Sequence, residues 1–269
     1  MKRLSRRISV GLLCVLLAGV ALGLAFNRHS FSKQFRALPN AAPSAAHLLG
    51  TDGLGRDLFA RLIYGTAISL LLAPGAALIS TMIAAFLGSF AGWKGGWYER
   101  LALALADLAL ALPLLFVLLA LRAMLPLSIS PSVSAVATFA LLGALGWPSA
   151  LRVIAASARS LRRSDSLLLA EATGASRTTI VLRHILPNLR PVLLAQFWVA
   201  IPVFILTEAT LSMLGLGVVE PLPSLGNLLR GLENVAAVSA NPWRLAPLIL
   251  LIVLVVCLQL ALPAQEETA

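Results

Sequence analysis

Six long apolar runs constrain this 269-residue chain more than any other feature. Residues 8–25, 68–91 and 245–262 make up three of them and carry no charged residue. Three further apolar runs each carry one ionisable side chain: residues 101–121 with Asp107, residues 133–154 with Arg152, and residues 191–216 with Glu208. A helix of about 20 mainly apolar residues spans the hydrocarbon core of a bilayer. The sequence therefore predicts an all-α membrane protein with about six transmembrane helices.

The composition excludes several other classes of protein. Hydrophobic residues make up 59% of the chain and charged residues 12%, and the mean hydropathy is +0.92. A soluble domain carries about 25% charged residues. A disordered chain and an ordinary soluble enzyme are therefore excluded. Six helices leave little chain for a soluble domain, so we expect any soluble chemistry to come from another polypeptide.

The net charge of +10 does not indicate nucleic acid binding, because the basic residues lie between apolar runs. Lys and Arg concentrate in the cytoplasmic flanks of membrane helices. If the N-terminus is cytoplasmic, 13 of the 21 basic residues fall on the inner side and 8 on the outer side. The sign of this excess favours a cytoplasmic location for both termini.

The N-terminal region has two interpretations. A basic segment, residues 1–7, precedes the apolar run 8–25, as it would in a cleaved signal peptide. The run is longer than a usual signal core, which favours an uncleaved first membrane helix. The polar stretch 26–61 is predicted to lie outside the cell. Within it and just beyond, residues 55–65 place apolar side chains at helical spacing beside charges, which predicts a short helix in the membrane interface.

The inner block 155–190 is the most informative polar segment, and it carries six arginines. Asp165 or Ser166 can cap a short helix that ends at Gly174 with a positive φ, and Ser176 can cap the next helix. The short helix would hold exposed leucines at the inner membrane surface. These leucines either dock a partner protein or tuck under the helix bundle, and the residues alone leave both interpretations open.

Three separated segments resemble one family. Residues 166–188, SLLLAEATGASRTTIVLRHILPN, are similar to the cytoplasmic EAA loop of ABC importer permeases, with Gly174 and Pro187 at the family spacing. Two further segments resemble the peptide and nickel branch of that family: 47–70, HLLGTDGLGRDLFARLIYGTAISL, and 205–229, ILTEATLSMLGLGVVEPLPSLGNLL. The chain thus resembles the second permease subunit of dipeptide, oligopeptide or nickel importers. It departs from the family at Leu168, at Leu225 and over residues 256–269.

The resemblance implies a type I ABC importer permease fold with a cytoplasmic coupling helix. Residues 1–61 would supply the first membrane helix and an extracytoplasmic segment. Residues 62–269 would form the transmembrane permease domain that contains the coupling loop 155–190. The short helix would dock in a groove of an ATPase subunit. The implied coupling residues are Leu167, Leu168, Leu169, Ala170, Glu171, Gly174 and Ala175.

The implied function is that of a permease subunit of an ATP-driven importer for di- or oligopeptides, forming half of the translocation path. A nickel or metal-chelate importer is the alternative within the family. An ion-gradient-driven secondary transporter is the alternative from another class, but repeated halves and midplane binding sites are not evident. The sequence contains neither GxxxxGK[ST] nor HExxH, so we expect neither an ATPase site nor a membrane-embedded enzyme.

The implied partners are a second, paralogous permease subunit, cytosolic ATP-binding subunits, an extracytoplasmic solute-binding protein and the lipid bilayer. Nucleic acid is not expected, and the implied location is a bacterial cytoplasmic (inner) membrane. No cofactor is expected. The three histidines, His29, His47 and His184, are scattered in the sequence and do not indicate a metal site.

Two acidic residues inside apolar runs are candidates for the translocation path or a gate. Glu208 lies about 25 Å along a helix from Pro191. An ionisable group at such depth usually faces the bundle interior or water. Glu208 either contacts cargo or is a structural residue bonded to a neighbouring helix end or loop. Asp107 lies about two turns beyond Glu99 and is either a gate residue or solvated at the inner surface.

Overall fold

The computed structural model describes residues 2–27, 29–124, 129–162, 164, 169, 172–174, 176, 179–233 and 235–261. Within these ranges the chain is mainly helical, and extended pairing is limited to two isolated bridges. The helices of the first part are α1 (Lys2–Phe26), α2 (Leu58–Lys94), α3 (Gly96–Ala111), α4 (Leu114–Ala123), α5 (Pro131–Leu145) and α6 (Trp147–Leu161). The predicted all-α class is confirmed.

The second part begins with a π-helical segment, Ile180–Ile185, that continues directly into α7. The remaining elements are α7 (Leu186–Met213), α8 (Leu225–Arg230), α9 (Val235–Ala240), a 3-10 turn (Pro242–Leu245) and α10 (Ala246–Leu260). The described residues include five helical stretches long and apolar enough to cross a membrane: Arg6–Phe26, Leu58–Lys94, Pro131–Leu161, Ile180–Met213 and Pro242–Leu260. Counted as one broken span, the bent pair α3–α4 gives a sixth, so five to six apolar spans agree with the predicted number of about six.

The bend in the third span lies at its proline. Helices α3 and α4 meet at 77°, and Leu112 between them is extended, with φ −80° and ψ 127°. The ring of Pro113 clashes with a helical conformation of the preceding residue. This preference accounts for the end of α3 at Ala111 and the start of α4 at Leu114.

The second span begins earlier than the sequence suggests. The prediction of a separate interfacial helix at 55–65 is wrong, because α2 already begins at Leu58 and runs through Pro74 to Lys94. Asp57 caps the helix: its Oδ1 accepts a hydrogen bond of 2.7 Å from the Ala60 backbone N–H. Arg61 thus lies in the first turn of a membrane helix, and Arg56 and Asp57 immediately precede it.

The described residues form two compact units. The first comprises the described residues of 2–73, 122–139 and 202–261, in which α1 packs against α10 and α8 also packs against α10. The second comprises residues 74–121 and 140–201, in which α3 packs against α6. The core of the second unit includes the buried residues Leu151, Ile154, Ile185 and Leu189. The predicted division into domains 1–61 and 62–269 stays a prediction.

Candidate functional site

Glu208 is fully buried in α7 and binds two serine hydroxyls. Its Oε1 accepts hydrogen bonds from Ser212 Oγ at 2.5 Å and from Ser224 Oγ at 2.8 Å. Ser212 lies one turn further along α7, whereas Ser224 immediately precedes α8. The carboxyl group therefore connects the end of α7 to the start of α8 within the first unit.

The start of α8 is defined by a capping box. Ser224 Oγ accepts a hydrogen bond from the Asn227 backbone N–H, and Asn227 Oδ1 accepts one from the Ser224 N–H, both at 3.1 Å. Gly226 lies where α8 approaches α7, and a Cβ atom here would lie 2.5 Å from Ala209 Cα. Only glycine fits this contact, which explains why the segment 205–229 has a glycine at position 226.

Arg122, at the end of α4, binds the turn after α7. Its guanidinium group donates to the carbonyl oxygens of Leu216 at 3.2 Å and Gly217 at 3.3 Å, and to Ser134 Oγ in α5. Carbonyl groups just beyond a helix end lack partners within the helix, and basic side chains satisfy them. The sequence pattern alone contains no signal for this contact, because Arg122 and Gly217 are far apart in the chain.

Four charged residues join the start of α2 to the loop after α7. Glu220 accepts hydrogen bonds from Arg56 Nη1 at 2.6 Å and from Arg61 Nη2 at 2.8 Å. Asp52 Oδ2 accepts one from Arg56 Nε at 2.7 Å and lies 3.8 Å from Arg61 Nε. The Arg61 side chain is only 1% exposed, so these carboxylates balance a buried charge. Arg56 and Arg61 belong to the charged stretch 55–65 that the sequence indicates, whereas nothing in the sequence connects them to Glu220, the carboxylate that accepts hydrogen bonds from both.

Two of the histidines that are scattered in the sequence are neighbours in the structure. The rings of His29 and His47 lie 5.1 Å apart, and His47 Nδ1 lies 2.6 Å from Asp57 Oδ2. The ligand atoms of these three residues lie within 4.8 Å of one another. Both Asp57 oxygens already bond to the protein, one to His47 and the other to the first turn of α2. We therefore assign this cluster a structural role in fixing the segment that precedes α2.

The predicted coupling residues are described in part. Leu167, Leu168, Ala170, Glu171 and Ala175 lie outside the described residues. The Leu169 side chain is 66% exposed, and its carbonyl oxygen accepts a hydrogen bond of 3.0 Å from the Thr173 N–H, which closes one helical turn. Gly174 comes next with φ +77°. The predicted positive φ at Gly174 is confirmed, and its role in coupling stays a prediction.

The next helix begins at Ser176, as its sequence predicts. Ser176 Oγ accepts a hydrogen bond of 3.2 Å from the Thr179 N–H, and its carbonyl oxygen accepts one of 2.9 Å from the Ile180 N–H. The π-helical segment Ile180–Ile185 then leads into α7, where Pro187 has no N–H for the regular helical pattern. Helical structure is thus continuous from Thr179 to Met213.

Asp107 lies at the surface of the second unit. It forms an ion pair of 3.5 Å with Arg152, and both side chains are 56% exposed. An exposed pair of this kind contributes about 0–1 kcal/mol to stability. The choice between a gate role and a solvated position for Asp107 stays a prediction.

Comparison with known proteins agrees with this architecture. Residues 84–266 match the family model of the binding-protein-dependent transport system inner membrane component. A protein of Brucella suis named as a peptide permease is 36% identical over 205 residues, which cover 76% of this chain and 66% of the relative. The oligopeptide transport system permease protein OppC of Bacillus subtilis is 31% identical over 220 residues, which cover 82% of this chain and 70% of that protein. The dipeptide transport system permease protein DppC of the same organism is 31% identical over 235 residues, which cover 87% of this chain and 71% of that protein.

These similarities define the class of protein. The apolar helices and the matched domain are those of a multi-pass, all-α membrane permease. The chain belongs to the family of binding-protein-dependent transport system inner membrane components, and within it is similar to permeases of the OppC and DppC type. The chain spans about two thirds of the length of these curated relatives.

Proposed function

We propose that this chain is a permease subunit of an ATP-driven importer for di- or oligopeptides. It forms half of the translocation path beside a second, paralogous permease subunit in a bacterial inner membrane. Cytosolic ATP-binding subunits supply hydrolysis, and an extracytoplasmic solute-binding protein delivers the peptide. The names of the relatives refer to peptides, which favours peptides over the nickel or metal-chelate alternative. Membership of a binding-protein-dependent family disfavours an ion-gradient-driven transporter.

The exposed turn in the inner block carries this proposal. Leu169 presents an apolar side chain to solvent, and Gly174 ends the turn with a backbone conformation that sets the direction of the next residues. Two residues later Ser176 caps a helix that continues into α7. An exposed apolar turn of this kind suits a groove on a partner protein. A movement of that partner would reach the membrane through a continuous helix.

The roles of Glu208 and Asp107 in this function differ from each other. The two hydroxyl donors and the complete burial of Glu208 support the structural alternative, in which it bonds to a neighbouring helix end. Its role in the path or a gate stays a prediction. Asp107 is half-exposed and paired with Arg152, which supports the solvated alternative for that residue.

The experiment that tests the proposal is peptide uptake by the reconstituted importer. The chain is assembled with its partner permease, ATPase subunits and solute-binding protein in proteoliposomes, and ATP-driven uptake of trialanine is measured. We expect Leu169→Asp to abolish uptake and to weaken retention of the ATPase subunit. The matched control is Leu38→Asp, which changes an exposed leucine in the segment before α2 and should leave both unchanged. Normal uptake by the Leu169→Asp complex would contradict the proposed docking role.

A further inference from the structure

A pocket of about 420 Å³ lies beside the charged cluster at the start of α2. Its walls belong to the first unit and come from the loop before α2, from α8 and from the segment around the 3-10 turn. The charged residues that line it are Asp52, Arg56, Arg61, Glu220, Arg230 and Arg244. The pocket includes Asp52 and Arg56 of the polar stretch 26–61, which the sequence predicts to lie outside the cell.

The charges in this pocket do not balance. Four arginines face two carboxylates, and Arg56 and Arg61 already bind both Asp52 and Glu220. The side chains of the other two, Arg230 and Arg244, have no hydrogen-bond or ion-pair partner in the described part of the chain. The pocket therefore carries two uncompensated positive charges, which attract an anionic group.

The two free arginines favour an anion that offers two oxygens side by side. A guanidinium group presents its N–H donors in a planar fork that matches the two oxygens of a carboxylate. The uncharged polar side chain that also lines the pocket, Asn227, is already engaged, since its Nδ2 donates to the Leu222 carbonyl and its Oδ1 accepts from the Ser224 N–H. Leucines line the rest of the wall, among them Leu58 and Leu228. A ligand with a carboxylate and a short, partly apolar body fits this lining.

We propose that this pocket binds the C-terminal carboxylate of a peptide, with Arg230 and Arg244 as its ligands. The proposal rests on the proposed function. A free peptide C-terminus is ionised at neutral pH, and every unmodified peptide has one. Binding at this group is therefore independent of the peptide's side chains. An acidic side chain of a protein partner offers the same chemistry, so the test has to separate the two sources.

The test uses the full-length chain in lipid nanodiscs and three defined probes. Trialanine offers a C-terminal carboxylate, trialanine amide offers none, and N-acetyl-Ala-Asp-Ala amide offers only a side-chain carboxylate. Calorimetric titration should show that trialanine binds about tenfold or more tightly than its amide. The affinity should fall as ionic strength rises, because salt screens the attraction.

Variants then assign the binding to the two arginines. The double variant Arg230→Gln with Arg244→Gln should lose the preference for trialanine over its amide. The matched control is Arg36→Gln, which removes one charge from an exposed position in the segment before α2 and should change nothing. The variant Arg230→Lys with Arg244→Lys keeps both charges but not the forks, and should bind with intermediate affinity. Size-exclusion profiles of all variants control for folding.

Each outcome decides something. Carboxylate-dependent binding of N-acetyl-Ala-Asp-Ala amide alone would overturn the peptide C-terminus as the source and assign the pocket to a protein side chain. Equal binding of trialanine and its amide, or an unchanged preference in the double variant, would overturn the carboxylate site itself. Uptake by the assembled importer tests the proposed function separately from this inference. If the wild-type importer takes up trialanine but the pocket shows no preference for a carboxylate, only the present inference is refuted.

Discussion

Ser224 Oγ donates a hydrogen bond of 2.8 Å to Glu208 Oε1, and this contact joins the start of α8 to the buried carboxyl group of α7. The same hydroxyl accepts a hydrogen bond from the Asn227 N–H and so caps α8. A buried ionisable group is costly unless it has hydrogen-bond partners. One serine thus begins a helix and supplies one of the two hydroxyl donors to Glu208 Oε1.

Ser224→Ala should destabilise the chain. The change removes a helix cap, worth about 1 kcal/mol, and one of the two hydroxyl donors to Glu208, a type of bond worth about 1.5–3 kcal/mol when the acceptor is charged. The thermal unfolding midpoint of the purified chain in detergent checks this. The control is Ser239→Ala, since Ser239 is exposed and its hydroxyl donates only to the Ala236 carbonyl. Equal midpoints for the two variants would contradict the double role of Ser224.

Glu208→Gln separates the two roles of that residue. The amide has a similar volume and still accepts a hydrogen bond, but the bond to a neutral acceptor is weaker. A structural role predicts a lower yield or thermal midpoint with unchanged trialanine uptake per assembled complex. A role in the path predicts the opposite pattern, with normal assembly and reduced uptake of amine-bearing cargo. Measuring uptake per complex therefore decides between them.

Gly226→Ala should disturb the packing of α8 on α7. The added Cβ would lie 2.5 Å from Ala209 Cα, a backbone atom that cannot move without shifting the helix. Overpacking of this kind costs about 1–3 kcal/mol. A thermal melt of the purified chain measures the loss, with Gly11→Ala as the control because a Cβ at Gly11 would meet nothing within 4 Å. A Gly226→Ala midpoint as high as that of Gly11→Ala would show that the two helices do not pack as described.

Substitutions at Gly174 test whether coupling depends on the backbone conformation at this position rather than on the size of its side chain. A Cβ at Gly174 would meet nothing within 4 Å, but its φ of +77° is strained for any other residue and most of all for a β-branched one. Gly174→Val should therefore leave membrane insertion intact while ATP-driven uptake and transport-coupled ATPase activity are lost. Gly174→Asn should retain more of both, because asparagine tolerates this conformation. Equal uptake by the valine and asparagine variants would exclude backbone conformation as the cause.

The sequence predicts the membrane spans well because hydropathy depends on local composition. The sequence does not predict the environment of a residue whose partner is far away in the chain. Arg61 looks like an interfacial charge, and only its contact with Glu220 explains why it lies buried in the first turn of α2. The role of Arg122 likewise follows only from its hydrogen bond to the Gly217 carbonyl oxygen in the folded chain. Gly174 is predictable because a helix end is a local event.

The measurement that tests the central proposal most directly is trialanine uptake by proteoliposomes that contain this chain alone or the assembled importer. A permease subunit forms only half of a path and has no ATPase site of its own, so we expect no uptake by the chain alone under any ATP or ion gradient. Adding the partner permease, the ATPase subunits and the solute-binding protein should produce uptake that requires ATP hydrolysis. Uptake of trialanine by the chain alone, without added subunits, would contradict the proposal.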